Sequence, residues 1–172
     1  MRELGKDMQL QDWLAKDEAL SARIAGSGSS GWRHSIAWVL ARSGDLIVWL
    51  VIAGLLIWRR QSLGWSLLLA VVVTSLLTAV AKGIFRRERP AAKWALGTDK
   101  YAFPSGHASR TGAVAVTLSF AMPLLTPLWL LWAAAVSLAR VALSRHYVSD
   151  VLGGLLFGMT CGLLLEILVE VI

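Results

Sequence analysis

His146 and Asp150 stand four residues apart, a spacing that suits nucleophilic chemistry. On one helical turn, the carboxylate can hold one imidazole nitrogen while the other stays free to act as a nucleophile. Arg140 precedes His146 by six residues at the end of an apolar segment, where a charge usually has a partner. A straight helix would put the two on different faces, so we expect the helix to end between them. An ion-paired helix end is the structural alternative.

The segment Pro104-Ser105-Gly106-His107 has the composition of an anion site at the start of a helix. Ser105 is a good N-cap residue, and Gly106 has no side chain, so the first helical amides can approach an anion closely. The helix dipole adds attraction, and His107 would project beside the bound anion. A simple capped helix with an interfacial histidine is the alternative.

Lys82 and Arg89 form a third group, because two cations seven residues apart fall on one helix face about 10 Å apart. Pro90 then interrupts regular structure. Taken alone, such cations also suit anchors at a membrane interface. All three groups fall on one predicted face of the membrane, and three cations around one centre would repel a divalent ion and attract an oxyanion. We therefore expect an anion site and no metal.

The chain that must position these residues has the composition of a helical membrane protein. Of its 172 residues, 56% are hydrophobic and 16% are charged, with a mean hydropathy of +0.62, whereas soluble domains carry about 25% charged residues. The apolar residues form long blocks, which excludes soluble sandwiches and parallel-sheet folds. The net charge of +6 favours anionic lipid headgroups or an anionic substrate over nucleic acid. Cys161 has no second cysteine to pair with.

Five apolar stretches are predicted to span the membrane, since about 20 residues cross ~30 Å of hydrocarbon. They cover residues 35–58, 62–81, 108–122, 128–143 and 151–172. The prediction is an all-α integral membrane bundle with the three groups at one membrane face. In the first span, Arg42 and Asp45 are three residues apart and can pair. Such a pair is either structural or part of the site.

Residues 1–34 are predicted to form a separate amphipathic segment, and residues 35–172 the transmembrane domain. Apolar residues recur at roughly helical spacing from Leu10 to Ile24, with most charges elsewhere on the helix. This pattern fits a helix on the membrane surface and equally a helix packed on the body of the protein. A glycine- and serine-rich stretch at 26–31 is expected to be a flexible hinge.

Together, the three groups resemble the signature of the type 2 phosphatidic acid phosphatase (PAP2) superfamily. In the first group, six residues separate Lys82 from Arg89-Pro90, and the second group is the sequence Pro-Ser-Gly-His at 104–107. In the third group, five residues separate Arg140 from His146, and three separate His146 from Asp150. It covers residues 82–150 in a compatible helical context. Two departures stand out: Ala139 replaces a serine usual in the family, and many membrane members have six spans where five are predicted. The N-terminal segment would then replace the missing span or cover the site.

The resemblance implies a role for each residue of the signature. His146 would attack phosphorus and form a phosphohistidine, with Asp150 fixing its tautomer. His107 would protonate the leaving oxygen and later help to activate water. The phosphate oxygens would be held by the remaining positions, which are Lys82, Arg89, Ser105, Gly106 and Arg140. No cofactor is implied.

The implied function is hydrolysis of a lipid phosphate within a membrane: a polyprenyl diphosphate, phosphatidic acid or phosphatidylglycerol phosphate. A lipid phosphotransferase, in which an alcohol opens the phosphohistidine, would use the same site and stays open as an alternative. A non-catalytic anion-binding protein or transporter is disfavoured, because the sequence has neither inverted repeats nor interrupted spans. Such a protein would also have no need of the His146–Asp150 pair.

The implied location is a bacterial inner membrane, with the site on the extracytoplasmic side. The distribution of Lys and Arg favours the opposite orientation, because cations on the site face outnumber those on the other face. Outside the signature, the site face carries Arg86, Arg87, Lys93, Lys100 and Arg145, against Arg59 and Arg60 opposite. Substrate-binding charges distort this count, so we follow the resemblance.

Overall fold

The structure is a computed structural model that describes residues 2–27, 31–90 and 100–171. These residues form seven α-helices and one short 3₁₀ turn at Pro123–Leu125, with no strand among them. The helices are α1 (Arg2–Ser27), α2 (Gly31–Ser43), α3 (Leu46–Trp58), α4 (Ser62–Phe85), α5 (Gly106–Ala121), α6 (Thr126–Ala142) and α7 (Val148–Val171). The all-helical prediction is confirmed. Part of the predicted hinge, residues 28–30, and Lys93 lie outside the described residues.

Three helical stretches among the described residues are long and apolar enough to cross a membrane: α4, Pro123–Ala142 and Val148–Glu170. Helices α2 and α3 make a fourth if they count as one bent span. The predicted third span corresponds to α5, which has 16 residues. At 1.5 Å per residue, α5 reaches about 24 Å, less than the ~30 Å of hydrocarbon. The predicted count of five spans is therefore approximate.

The predicted first span, residues 35–58, is broken instead of continuous. Helices α2 and α3 meet at an angle of 47° around Gly44 and Asp45. Gly44 packs against α5 and α6 so closely that a Cβ there would approach Thr111 and Val136 to 2.9 and 2.8 Å. The break places Asp45 immediately before α3, where its side chain can reach the bundle interior.

Helix α5 is the central helix of the bundle, and α4, α6 and α7 pack around it. Helix α7 approaches it along three glycines spaced four residues apart, at 154, 158 and 162. A Cβ at Gly154 would lie 2.7 Å from the Ser105 carbonyl oxygen, and one at Gly162 would lie 2.9 Å from that of Ala113. Small residues at this spacing let membrane helices pack closely. This packing holds the start of α7 beside the start of α5.

Helix α1 packs along α6 and α7. Its Asp17 and Ser21 are buried, whereas Trp13, Leu14 and Leu20 are exposed. One face of α1 therefore packs on the body of the protein, and apolar side chains stay exposed elsewhere, as a helix at a membrane surface requires. The side chain of Leu10 lies outside the described residues.

Candidate active site

Residues from all three predicted groups line one cavity of about 610 Å³. Lys82 comes from helix α4 and Arg89 from the segment after it. Gly106 and His107 stand at the start of α5, and His146 stands in the turn before α7. Lys82 and His146 are buried, with 9% and 1% of their surfaces exposed. Ser105 and Asp150 are fully buried and lie outside this lining. The fold thus collects the predicted catalytic histidines and two predicted cations around one space.

The chain turns between Arg140 and His146, as the spacing predicts. Helix α6 ends at Ala142, and Ser144 in the following turn has a positive φ of 55°. The Arg145 amide donates to the Arg140 carbonyl at 3.0 Å. Arg140 is partly buried in the last turn of α6 and is not among the residues that line the cavity, although its charge acts on His107. The turn therefore brings His146 to the cavity wall, while Arg140 lies close enough to His107 for its charge to act there.

His146 and Asp150 meet at a junction of turn and helix, where a single helical turn was the expectation. Helix α7 begins at Val148, so Asp150 lies in its first turn and His146 precedes it. Asp150 Oδ2 accepts the Tyr147 amide at 2.8 Å. The same oxygen lies 3.7 Å from His146 Nδ1, longer than a hydrogen bond but within the range of an ion pair. Asp150 thus faces one imidazole nitrogen of His146, at a distance longer than the hydrogen bond that its predicted role would use.

Lys82 and Arg89 reach the cavity by another route than the predicted shared helix face. Helix α4 ends at Phe85, and Arg86 adopts the left-handed conformation with a φ of 48°. The Arg86 amide donates to the Lys82 carbonyl at 3.0 Å and its Nε to the Gly83 carbonyl at 2.9 Å. Arg89 therefore lies beyond the helix. The turn at Arg86, and not helical periodicity, returns it to the cavity that Lys82 lines.

Ser105 occupies the N-cap position of α5, as predicted, but its side chain makes no cap hydrogen bond. Its amide donates to the Asp150 carbonyl at 3.0 Å and ties α5 to α7. The buried Ser105 hydroxyl has no hydrogen-bond partner within the described part of the chain. The first amides of α5 therefore have no cap from the Ser105 side chain. These amides and the unsatisfied hydroxyl beside them are suitable donors for an oxyanion. The geometry at Gly106 therefore still fits the predicted anion site.

His107 has a carboxylate partner from another part of the bundle. Its Nε2 lies 2.7 Å from Asp45 Oδ1, and Asp45 Oδ2 accepts the Arg42 guanidinium at 3.1 Å. The Arg42–Asp45 pair predicted from the sequence is confirmed, and both interpretations of it hold: it is an ion pair at a helix break, and it touches the site. The Asp45 carboxylate can orient the His107 ring and favour its imidazolium form.

Arg110 also lines the cavity, and sequence reasoning misses it. It lies three residues after His107 in α5. Its guanidinium donates to the Gly44 carbonyl at 2.8 Å and to Ser75 Oγ at 3.4 Å. A charge inside an apolar stretch, here the predicted span 108–122, usually marks a functional contact. That signal was present in the sequence, and Arg110 adds a cation to those supplied by the signature.

The comparison with known families agrees with this geometry. A family model described as the PAP2 superfamily matches residues 63–170, a range that contains all three groups of the site. The chain belongs to the PAP2 superfamily. The recognition based on the sequence signature is thereby confirmed. Asp17 and Asp45 lie outside the matched range, so the signature does not define their contacts.

Two solved structures share the fold. The chain is similar to the first transmembrane PAP2 type phosphatidylglycerolphosphate phosphatase from Bacillus subtilis, with 26% identity and a TM-score of 0.75 over 94% of this chain and 88% of that chain. It is also similar in fold to LpxE from Aquifex aeolicus, with 22% identity and a TM-score of 0.71 over 86% and 93% of the two chains. Together with the apolar helices, these matches identify an integral membrane protein of the PAP2 phosphatase class.

Proposed function

We propose that the chain is a metal-independent lipid phosphate phosphatase that works through a phosphohistidine on His146. The observation that carries the proposal is that His146 and His107 line one cavity together with Lys82 and Arg89. A nucleophile, a proton donor and cations around one space are what phosphoryl transfer requires.

In the first step, a nitrogen of His146 attacks phosphorus and the bond from phosphorus to the lipid oxygen breaks. His107 gives its proton to that leaving oxygen. Burial and the charge of Arg140 outweigh the favourable Asp45 carboxylate and lower the pKa of His107 to about 3, so His107 acts as an acid only once a bound phosphate dianion favours its imidazolium form. In the second step, water loses a proton to His107 and attacks phosphorus, which breaks the bond to His146 and releases phosphate.

The cations replace a metal ion as the source of positive charge. Lys82, Arg89 and Arg140 would hold the phosphate oxygens, with the Ser105 hydroxyl and the Gly106 amide as further donors. The charge of Asp150, whose Oδ2 lies 3.7 Å from His146 Nδ1, would favour a proton on that nitrogen, so that the other nitrogen attacks.

We infer that the substrate carries a hydrocarbon tail, because the site lies at the end of helices that are apolar enough to span a membrane. Phosphatidylglycerol phosphate is the first substrate to test, since a structurally similar protein with 26% identity is a phosphatidylglycerolphosphate phosphatase. Phosphatidic acid and polyprenyl diphosphates have the same terminal phosphate chemistry. We place the protein in a bacterial inner membrane with the site on the extracytoplasmic side, and residues 1–34 as a segment separate from the transmembrane domain 35–172.

Phosphate release from these lipids by the purified protein, with EDTA present, tests the proposal. His146→Ala is the inactive variant, and His34→Ala is its matched control, because His34 is exposed and does not line the cavity. We expect release by the wild type and by His34→Ala only. Transfer of the phosphate to an added alcohol, without free phosphate, would instead indicate a phosphotransferase.

A further inference from the structure

The first turn of α7, which carries Asp150, is capped by side chains from α1. The Val148 amide donates to Ser21 Oγ at 2.9 Å, and the Ser149 amide donates to Asp17 Oδ1 at 3.1 Å. The Ser149 hydroxyl also donates to Asp17 Oδ2. Asp17 and Ser21 are one helical turn apart, and the Ser21 hydroxyl donates to the Asp17 carbonyl at 2.7 Å. Two of the helix amides that need a partner at an N-terminus are thus satisfied from more than 120 residues away in sequence.

Arg87 joins Asp17 to Asp150. Its Nη2 lies 2.8 Å from Asp17 Oδ2, and its Nη1 lies 2.9 Å from Asp150 Oδ1. The same Nη1 donates to Ser149 Oγ at 2.5 Å, and the guanidinium lies over the Tyr147 ring at 4.3 Å. The side chains of Asp17 and Asp150 are 6% and 0% exposed, so one guanidinium bridges two buried carboxylates.

This bridge bears on the His146–Asp150 pair. Asp150 Oδ1 is held by Arg87, and Asp150 Oδ2 is held by the Tyr147 amide and faces His146 Nδ1. The angle at which Asp150 faces His146 therefore depends on where Arg87 stands. Asp17 in turn holds Arg87 on the other side of the guanidinium, and its negative charge partly compensates the positive charge of Arg87.

Asp17 stays ionised in this position. Burial acts to raise its pKa, but hydrogen bonds from Ser149 and Arg87 outweigh that effect, and the pKa lies below its ordinary value. Surface pairs on the same helix differ: Asp12 and Lys16 form an ion pair with 64% and 74% of their side chains exposed, and such pairs contribute little. Residues of helix α1 also line a second cavity, of about 410 Å³, that His146 lines as well.

We propose that Asp17 is a positioning residue for the His146–Asp150 pair, acting through Arg87, and that α1 is thereby part of the active site. The proposal rests on the proposed function, because it assigns His146 and Asp150 their roles in phosphoryl transfer. A helix that merely docked on the bundle would stabilise the fold without changing the rate of the chemical step.

The test compares Asp17→Asn with Asp12→Asn in the full chain. Asparagine keeps the shape of the side chain and can still accept the Ser149 amide, but it removes the charge that holds Arg87. We expect kcat for lipid phosphate hydrolysis to fall about tenfold or more, since a small misplacement of a reactive group can cost about 10²-fold, with KM close to that of wild type. The melting temperature should fall too, because Arg87 keeps only one of its two buried carboxylate partners, and kcat is therefore measured well below it. Asp12→Asn should leave kcat unchanged.

A second variant, Arg87→Lys, tests the bridge itself, because an ammonium cannot hold both carboxylates with the geometry of a guanidinium. We expect kcat to fall, and the double variant with Asp17→Asn to be no slower than Arg87→Lys alone, since the two residues act in series. A double variant slowed by the product of the two single effects would overturn the proposal.

The remaining outcomes are also decisive. A folded Asp17→Asn protein with the kcat of Asp12→Asn overturns the positioning role. If Asp17→Asn does not fold, an unchanged kcat in Arg87→Lys overturns it. If the wild-type protein releases no phosphate from any lipid, the proposed function itself is wrong. If the wild type is active and the variants have the same kcat as the wild type, only the role of Asp17 is wrong.

Discussion

The Nε2 atom of His107 lies 2.7 Å from Asp45 Oδ1, a contact between residues 62 positions apart in sequence. Asp45 stands at the break between α2 and α3, and His107 stands in the first turn of α5. The proposed general acid, His107, is therefore oriented by the Asp45 carboxylate. Asp45 stands at a helix break that lies outside the range matched by the family model.

We predict that Asp45→Asn lowers kcat/KM by roughly 10- to 100-fold, because it weakens a general acid whose whole contribution is typically about 10² to 10⁴. An asparagine can still hold the ring, but it no longer stabilises the imidazolium. Arg42→Gln is the matched control, because Arg42 contacts Asp45 and is itself exposed. Steady-state kinetics of both variants check this. Equal effects of the two substitutions would show that the ion pair matters only for the fold.

We predict that His146→Ala abolishes turnover while the protein still folds, because it removes the proposed nucleophile and the other histidine of the cavity, His107, is paired with Asp45. His107→Ala should be severe as well, by about 10² to 10⁴ if it removes a general acid. The loss should be smaller with a substrate whose leaving group needs no proton. Activity of His146→Ala within about tenfold of wild type, far less than a lost nucleophile costs, would contradict the assignment.

We predict that Arg140→Lys keeps the charge and still loses roughly 2 to 4 kcal/mol of transition-state stabilisation, if it resembles the removal of an oxyanion donor. A guanidinium can hold two oxygens at once, whereas an ammonium acts as a point charge. Arg86→Lys and Lys100→Ala are the controls, since both residues are exposed and outside the cavity. They should change kcat/KM little and mainly at low salt.

The position of Arg140 sharpens that prediction, because its side chain is not part of the cavity lining. If Arg140→Lys is as active as Arg86→Lys, Arg140 does not contact the phosphate. The phosphate would then be held by the cations that do line the cavity, which are Lys82, Arg89 and Arg110 among the described residues.

We predict inhibition by vanadate and full activity in EDTA. Vanadate can occupy the phosphate site in a trigonal bipyramidal form that resembles the transition state. The measurement is phosphate release against vanadate concentration, and separately against EDTA. Activity that disappears in EDTA and returns with a divalent cation would indicate a metallophosphatase.

The sequence predicts the parts of the site that depend on local spacing. The predicted end of a helix between Arg140 and His146 is present in the structure, although Arg140 is not among the residues that line the cavity. The three groups also gather as predicted, because the motifs stand at the ends of helices that pack side by side. These features need no knowledge of how distant helices cross.

Other features could not be predicted, because they depend on packing between distant residues. Arg86 ends α4 in a left-handed conformation, so Lys82 and Arg89 do not share a helix face. The Ser105 amide pairs with Asp150 on α7, and the Ser105 side chain does not cap α5. The contact between Asp45 and His107 requires the break in the first span, which sequence periodicity does not reveal.

The central claim is that the phosphoryl group passes through His146, and trapping that intermediate tests it most directly. His107→Ala, in which attack by water should be slowed, is mixed with a lipid phosphate labelled at phosphorus and bearing a good leaving group, in EDTA. The reaction is quenched in base, and the labelled residue is located by mass spectrometry. We predict an acid-labile label on His146 that is absent when His146→Ala is added to the same variant. A label on another residue, or one that persists without His146, would contradict the account.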